Sequence, residues 1–263
     1  MSRVEQSSLQ KNVASKMLQW KSVDAAMSYY DKDSKENVTL PLPFEFVVLL
    51  KDYVSFNGFH EATNKGFWSN EVKNPNDMVH IRCGNDIVKS FKKSDWKTVK
   101  ELPELKGCKY TQIAYVSATL PEDDEPQIYR IMLNGASLTG GITVDKKTGK
   151  EHADQETDGW IRFTNKLCKT DANMLFKVSV VINGSKSKKN GAVNYTLPVF
   201  EAKELDPDDK ETNDLYEVQY KQVLDWFTYY NAEQRKFDAN PQAAATSTTD
   251  SEAGEIPNDE NDI

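Results

Sequence analysis

Apolar residues in this chain change their rhythm three times. Over residues 5–30, Leu9, Val13, Met17, Trp20 and Met27 recur at spacings of three, four and seven, which predicts an amphipathic helix ended by the polar stretch 31–37. Its other face is polar, so it is expected to pack on the body or on a partner. From Thr39 the pattern becomes short β-rich runs divided by turn residues. The two prolines of Leu40-Pro-Leu-Pro exclude helix, and a strand is predicted from there to Phe56, before the turn Asn57-Gly58. Further strands are predicted at 67–72, 78–83, 86–92, 109–118 and 127–133, with one small helix over 94–105.

The clearest hairpin joins 176–182 to 192–200 through a loop, 183–191, that carries Lys186, Lys188 and Lys189. Residues 134–141 read as a glycine-marked loop, and 145–158 are polar enough for a mobile excursion. A closing helix is predicted over 212–237, with Leu215, Val218, Gln222, Leu224, Trp226, Phe227 and Tyr230 at helical spacing. Small and polar residues follow, as in a flexible linker, and then an acidic end. The expected organisation is an N-terminal helix and linker (1–38), a β-rich body with its closing helix (39–238) and a disordered tail (239–263). Short strands with regular turn signals point to a mainly β protein built as a sandwich or small barrel.

Charge sharpens this picture. The 263 residues carry a net charge of −8, but six of the excess acids lie in the tail, so the body is near −2. Residues 160–203 hold eight basic side chains against Asp171 and Glu201, so a polyanion ligand is compatible with the acidic total. No apolar run is long enough to span a bilayer, and the N-terminus has no secretory h-region. The three cysteines, Cys83, Cys108 and Cys168, are far apart and odd in number. A reducing cytoplasm is the expected compartment.

Catalytic and metal motifs are missing: there is no Walker A, Gly-x-Gly-x-x-Gly, His-Glu-x-x-His or Gly-x-Ser-x-Gly. His80 and Cys83 form one His-x-x-Cys pair with no second pair to complete a zinc site. Glu122 to Glu125 lacks the spacing of a calcium loop. Neither catalysis, a metal nor a cofactor is therefore expected.

Binding chemistry is better represented. Arg82, Lys89, Lys92, Lys93 and Lys97 interleave with Phe91 and Trp96, and Arg162, Lys166 and Lys177 surround Trp160. Single-stranded DNA requires this mixture, because cations neutralise phosphates while aromatic faces stack on bases. Phe67 and Trp68 are the expected exposed stackers, with Trp96 and Trp160 as further platforms, unless the last two are core residues. The tail is a second binding element: its carboxylates can occupy a basic groove or dock on a basic partner, with Glu255, Ile256, Asp259, Glu260, Asp262 and Ile263 as the contacting residues.

Several stretches give the chain a resemblance to single-stranded DNA-binding proteins of tailed phages. They are Leu42-Pro-Phe-Glu-Phe-Val-Val-Leu, Phe67-Trp-Ser-Asn-Glu-Val, Leu133-Asn-Gly-Ala-Ser-Leu, Trp160-Ile-Arg-Phe and Tyr195-Thr-Leu-Pro-Val-Phe-Glu. That resemblance implies an OB-type barrel, DNA binding without strong sequence preference, and a tail that contacts replication or recombination proteins. The expected function is coating of replication or recombination intermediates in a host cytoplasm, with homo-oligomerisation left open and no membrane partner. A virion cargo or scaffold role, using the two terminal helices as interaction surfaces, is the alternative.

Overall fold

The computed structural model describes residues 12–60, 62–84, 86–144, 151–190 and 193–239. Leu9 of the expected first helix, and the tail with Glu255, Ile256, Asp259, Glu260, Asp262 and Ile263, lie outside those residues.

In place of an N-terminal helix the chain forms β1 (Met17–Lys21), β2 (Ala26–Asp31) and β3 (Glu36–Thr39). The same apolar residues that suit a helical stripe also suit a hairpin. β1 and β2 set Leu18 opposite Tyr29 and Trp20 opposite Met27, and all four enter one core. Cross-strand pairs of large side chains, together with the β preference of Tyr29 and Tyr30, outweigh a weak helical periodicity.

Then follow β4 (Phe44–His60), β5 (Lys65–Ser69), β6 (Met78–Cys83), β7 (Asp86–Lys92), α1 (Trp96–Val99), β8 (Cys108–Ala118) and β9 (Gln127–Leu133). The chain continues through α2 (Gly135–Thr139), β10 (Gly140–Val144), β11 (Glu151–Asp158), α3 (Trp160–Leu167), β12 (Val178–Asn190), β13 (Val193–Glu204) and α4 (Lys210–Ala239). The stretch expected as a glycine loop thus contains the helical turn α2. Residues 151–158, expected to be mobile, pair with β10. The lysine-bearing loop is also a correction, since Lys186, Lys188 and Lys189 lie in β12, opposite Leu197, Tyr195 and Asn194 of β13. Ladder pairing to an apolar partner strand supplies what their own propensity lacks.

Eleven strands form one mixed sheet in the order β3-β2-β1-β9-β8-β4-β5-β6-β7, with β12 attached to β4 and β13 to β12. Among the described strands only β1 and β9 pair in parallel. The mainly β class with a closing helix is as expected, but the sheet is open, and the expected closed OB-type barrel is not formed. β3 and β7, the ends of the strand order, do not pair with each other. The sheet also forks at β4, one edge of which pairs with β8 while the other is given to β12 at Phe44–Val47 and to β5 at Gly58–His60. A side-chain seam ties β13 to the β1–β2 turn instead. Thr196 donates from its N–H to Ser22 Oγ at 2.8 Å and from Oγ1 to the Ser22 carbonyl at 2.6 Å, and Trp20 Nε1 donates to the Thr196 carbonyl at 3.1 Å.

Alternation along β8 and β9 divides the core between two faces. Ala114, Val116, Tyr129 and Ile131 join Phe46, Val180 and Trp160 on one face, under α2 and α3. Ile113, Tyr115, Ile128 and Met132 join Tyr53 on the other, beneath Val223, Trp226 and Phe227 of α4. The Tyr53 and Phe227 rings stack at 3.7 Å. A third cluster, around Phe56, Phe67, Val79, Ile81 and Phe91, fills the β5–β7 end. The buried stripe of α4 is Gln219, Val223, Trp226 and Phe227, so Val218 and Leu224 of the expected stripe face outward. No helix among the described residues is long and apolar enough to cross a membrane.

One polar network lies inside the α4 face. Buried Glu71 accepts Arg130 Nη1 at 2.6 Å and Tyr115 Oη at 3.1 Å, and its N–H donates to Tyr230 Oη of α4 at 2.8 Å. Burial, followed by the Glu71 charge, pushes the Tyr115 and Tyr230 phenols upward, so both remain neutral donors or acceptors. Replacing Glu71 with Ala strands the Arg130 charge, and urea denaturation is expected to register a loss of about 3–5 kcal/mol. Trp160→Ala, which empties a fully enclosed site, is expected to cost a similar roughly 3–5 kcal/mol. A loss below about 1 kcal/mol in either variant contradicts the packing described here.

Candidate nucleic-acid interface

The aromatic residues singled out by the sequence are mostly interior. Phe67 has 0% and Trp160 1% of its surface exposed, and Phe91 is also buried. Phe67 and Phe91 take the inward positions of β5 and β7. Trp160 opens α3 and packs on Phe46, Phe163 and Phe200, with ring centroids 6.2, 5.9 and 5.4 Å away. Trp96 is half-buried against Phe56 and Phe91, at 4.6 and 6.0 Å. The expectation of an exposed Phe67 and of a Trp160 platform is therefore corrected. Trp68, one position after Phe67, faces the opposite side of β5 and is half-buried. Its Nε1 donates to the Gly84 carbonyl at 3.1 Å, and the Arg82 guanidinium sits 5.1 Å from its ring centre. Burial lowers the Arg82 pKa.

The predicted cations do not form one trough. Val47 is the last β4 residue paired with β12 and Gly58 the first paired with β5, eleven residues on. At about 3.3 Å per residue that separation is roughly 36 Å. β12 then runs on past Phe44, carrying Lys186, Lys188 and Lys189 still further from Arg82, Lys89, Lys92, Lys93 and Lys97. Arg162 and Lys166 of α3 both approach Asp158, at 3.8 and 2.5 Å. The structure thus separates two basic regions that the sequence suggested were joined.

Between the two partners of β4 its outer edge is, among the described residues, unpaired from Val48 to Tyr53, until the bridge Val54–Val72. Bulges at Val48–Leu50 and Leu50–Tyr53, with Asp52 at φ 74°, kink the strand at this place. A groove of about 690 Å³ opens here, lined by Lys51, Lys73, Phe176, Lys177, Tyr216 and Tyr220 among others. Phe176 is 40% and Tyr220 38% exposed, and among the described residues neither ring packs on another aromatic ring. Lys177 Nζ bonds Asp171 at 2.7 Å, which holds that carboxyl below its usual range. Lys51 lies 3.9 Å from Asp52, and Lys73 lies 5.7 Å from the Tyr53 ring centre.

At its Lys73 end the groove meets the basic β5–β7 region, because Lys93 Nζ donates to the Lys73 carbonyl at 2.6 Å. Residues 65–109 carry ten Lys and Arg against six Asp and Glu, a local surplus of positive charge on an acidic chain. Lys177 and Lys93 of the sequence prediction are therefore brought to one side, together with Lys51, Lys73, Phe176 and Tyr220, which sequence reasoning missed. One signal could have exposed Tyr220, since it is an aromatic residue off the buried stripe of its helix. A second cavity of about 450 Å³, across Tyr216, is lined by Leu40, Pro41, Pro43, Pro121 and Pro126 and by no Lys or Arg.

Fold and groove together define an open mixed β-sheet protein whose sheet forks beside a closing helix. No protein family matches the chain, and no curated protein or solved structure is found to be similar to it.

The placement of the tryptophans is open to a direct check. Trp68 and Trp96 are the two half-buried indoles, so Trp68→Phe combined with Trp96→Phe should remove most acrylamide-quenchable fluorescence. Quenching that persists in the double variant contradicts the burial of Trp20, Trp160 and Trp226.

Proposed function

We propose that this chain binds single-stranded DNA with little sequence preference, holding bases in the groove beside β4 and the phosphate backbone along its lysines. The observation that carries the reading is the pair Phe176 and Tyr220, whose rings stand exposed beside Lys51, Lys73 and Lys177. Each base stacked on an aromatic ring contributes about 1–3 kcal/mol whatever its identity, so two rings supply useful affinity without reading sequence. The groove's volume lies within the roughly 300–1,000 Å³ of small-ligand sites, which fits one or two bases. Lys93, bonded to the Lys73 carbonyl, extends the cationic path from its mouth. In this reading the protein coats replication or recombination intermediates, and the acidic residues after Ala239 compete with DNA for the lysines and recruit partner proteins when displaced.

Anisotropy of labelled oligo-dT tests the proposal. Phe176→Ala and Tyr220→Ala should each weaken binding roughly 5- to 150-fold, matching one lost stack. Three phosphate contacts correspond to a log–log salt slope of about −2 on a single strand. Absent binding, or affinity indifferent to both salt and the two rings, rejects the reading. Deleting residues 240–263 should tighten binding at low salt, and an unchanged affinity removes the competing-tail part alone.

A further inference from the structure

Ser90, His80 and Asp238 form a hydrogen-bonded relay that DNA binding does not use. Ser90 Oγ lies 2.8 Å from His80 Nδ1, and His80 Nε2 lies 2.7 Å from Asp238 Oδ1. With the imidazole neutral, one tautomer satisfies both contacts: Nε2–H donates to the carboxylate, and Nδ1 accepts the serine proton. Nucleophile, base and orienting acid are thus in the mutual order of a serine hydrolase relay, with the two ring nitrogens exchanged. The His80 side chain is only 10% exposed, while Ser90 is exposed. The base is therefore shielded and the nucleophile accessible.

The backbone adds a further element. His80 donates its N–H to Asn70 Oδ1 at 2.7 Å, away from β7, so His80 and Ser90 are a non-hydrogen-bonded pair of the β6–β7 ladder. Consistently, three registers on, where alternation requires a hydrogen-bonded pair, the Lys93 N–H donates to the Asp77 carbonyl at 3.0 Å. The Ser90 N–H consequently points to the free edge of β7, the last strand in the sheet order. A backbone N–H adjoining the nucleophile is the donor that an oxyanion requires. Lys92, two residues along, shares the face of Ser90 and adds positive charge.

The geometry points to Ser90 as an acyl-accepting nucleophile for small activated esters. Ser90 Oγ attacks the ester carbonyl carbon while its proton passes to His80 Nδ1, and Asp238 stabilises the imidazolium. The oxyanion collapses, the carbon–oxygen bond to the leaving alcohol breaks, and that oxygen takes the proton from His80. Water, deprotonated by His80, then cleaves the acyl-serine, which releases the acid and restores Ser90. Asn70 and Asp238 are positioning residues, and His80 is the base.

The test is to incubate the full chain with p-nitrophenyl acetate, follow nitrophenolate release and map the adduct by peptide mass spectrometry. One equivalent is expected in the initial phase, with the acetyl group on Ser90. Ser90→Ala should abolish that phase, and His80→Gln should slow it by at least about 100-fold. Asp238→Asn should slow it by at least about tenfold, with part of the rate recovered in Asp238→Glu. Acetyl groups found only on lysines of the wild-type chain, or Ser90 acetylated equally fast in His80→Gln, overturn the proposal. The wild-type map needs no variant to fold.

Discussion

β4 divides one of its edges between two partners, and most of the molecule's organisation follows from the backbone that makes this necessary. Two bulges and the positive φ of Asp52 turn the strand between Val48 and Tyr53. A straight partner cannot follow such a turn, so β12 stays with the first part and β5 with the last. From Val48 to Tyr53 this edge has no strand partner among the described residues. Bare strand edge inside a sheet is unusual, because it leaves ladder donors and acceptors without a strand partner. Here that interval is flanked by Lys51, Lys73 and Lys177 and becomes the wall of a groove.

What covers the groove is α4, and its grip on the sheet is uneven. Phe227 stacks on Tyr53, Trp226 and Val223 fill the same cluster, and Tyr230 reaches the Glu71 N–H. Through Glu71 the helix is linked to Arg130 of β9 and Tyr115 of β8, the backbone N–H of this one residue holding α4 and its carboxylate the two strands. Tyr216 and Tyr220, one to three turns earlier, line the groove instead. The same helix thus supplies both the strongest anchor of this face and the rings left open to a ligand.

Much of the fold was legible as alternation. β6, β7, β8 and β9 begin and end close to where apolar runs and turn residues place them, and α4 follows from its helical rhythm; the turn expected at Asn57-Gly58 is instead ladder-paired strand, β4 running on to His60. The first hairpin was not, because the helical spacing of Met17, Trp20 and Met27 hides the strand pattern, in which Leu18 and Trp20 share one face and Met17 takes the other. The candidate site was less legible still. Charge clusters in sequence say which lysines are near each other along the chain, yet Lys177 and Lys93 meet through Lys73, while Lys186 to Lys189 leave in the opposite direction. Nor does an aromatic next to lysines reveal its orientation, since adjacent Phe67 and Trp68 face opposite sides of one strand. His80 showed the same limit, its relay being completed by a residue 158 positions away.

The seam between Ser22 and Thr196 has a mechanical meaning. Its two edges are held by hydroxyls, one indole and single backbone groups rather than by a repeating ladder. A ladder pulled in shear shares the load among many bonds, whereas a point fastening yields at one place. The β12–β13 arm therefore owes its place over this core less to the seam than to the apolar residues it buries there, Val180, Ile182 and Leu197, and to Phe200 against Trp160.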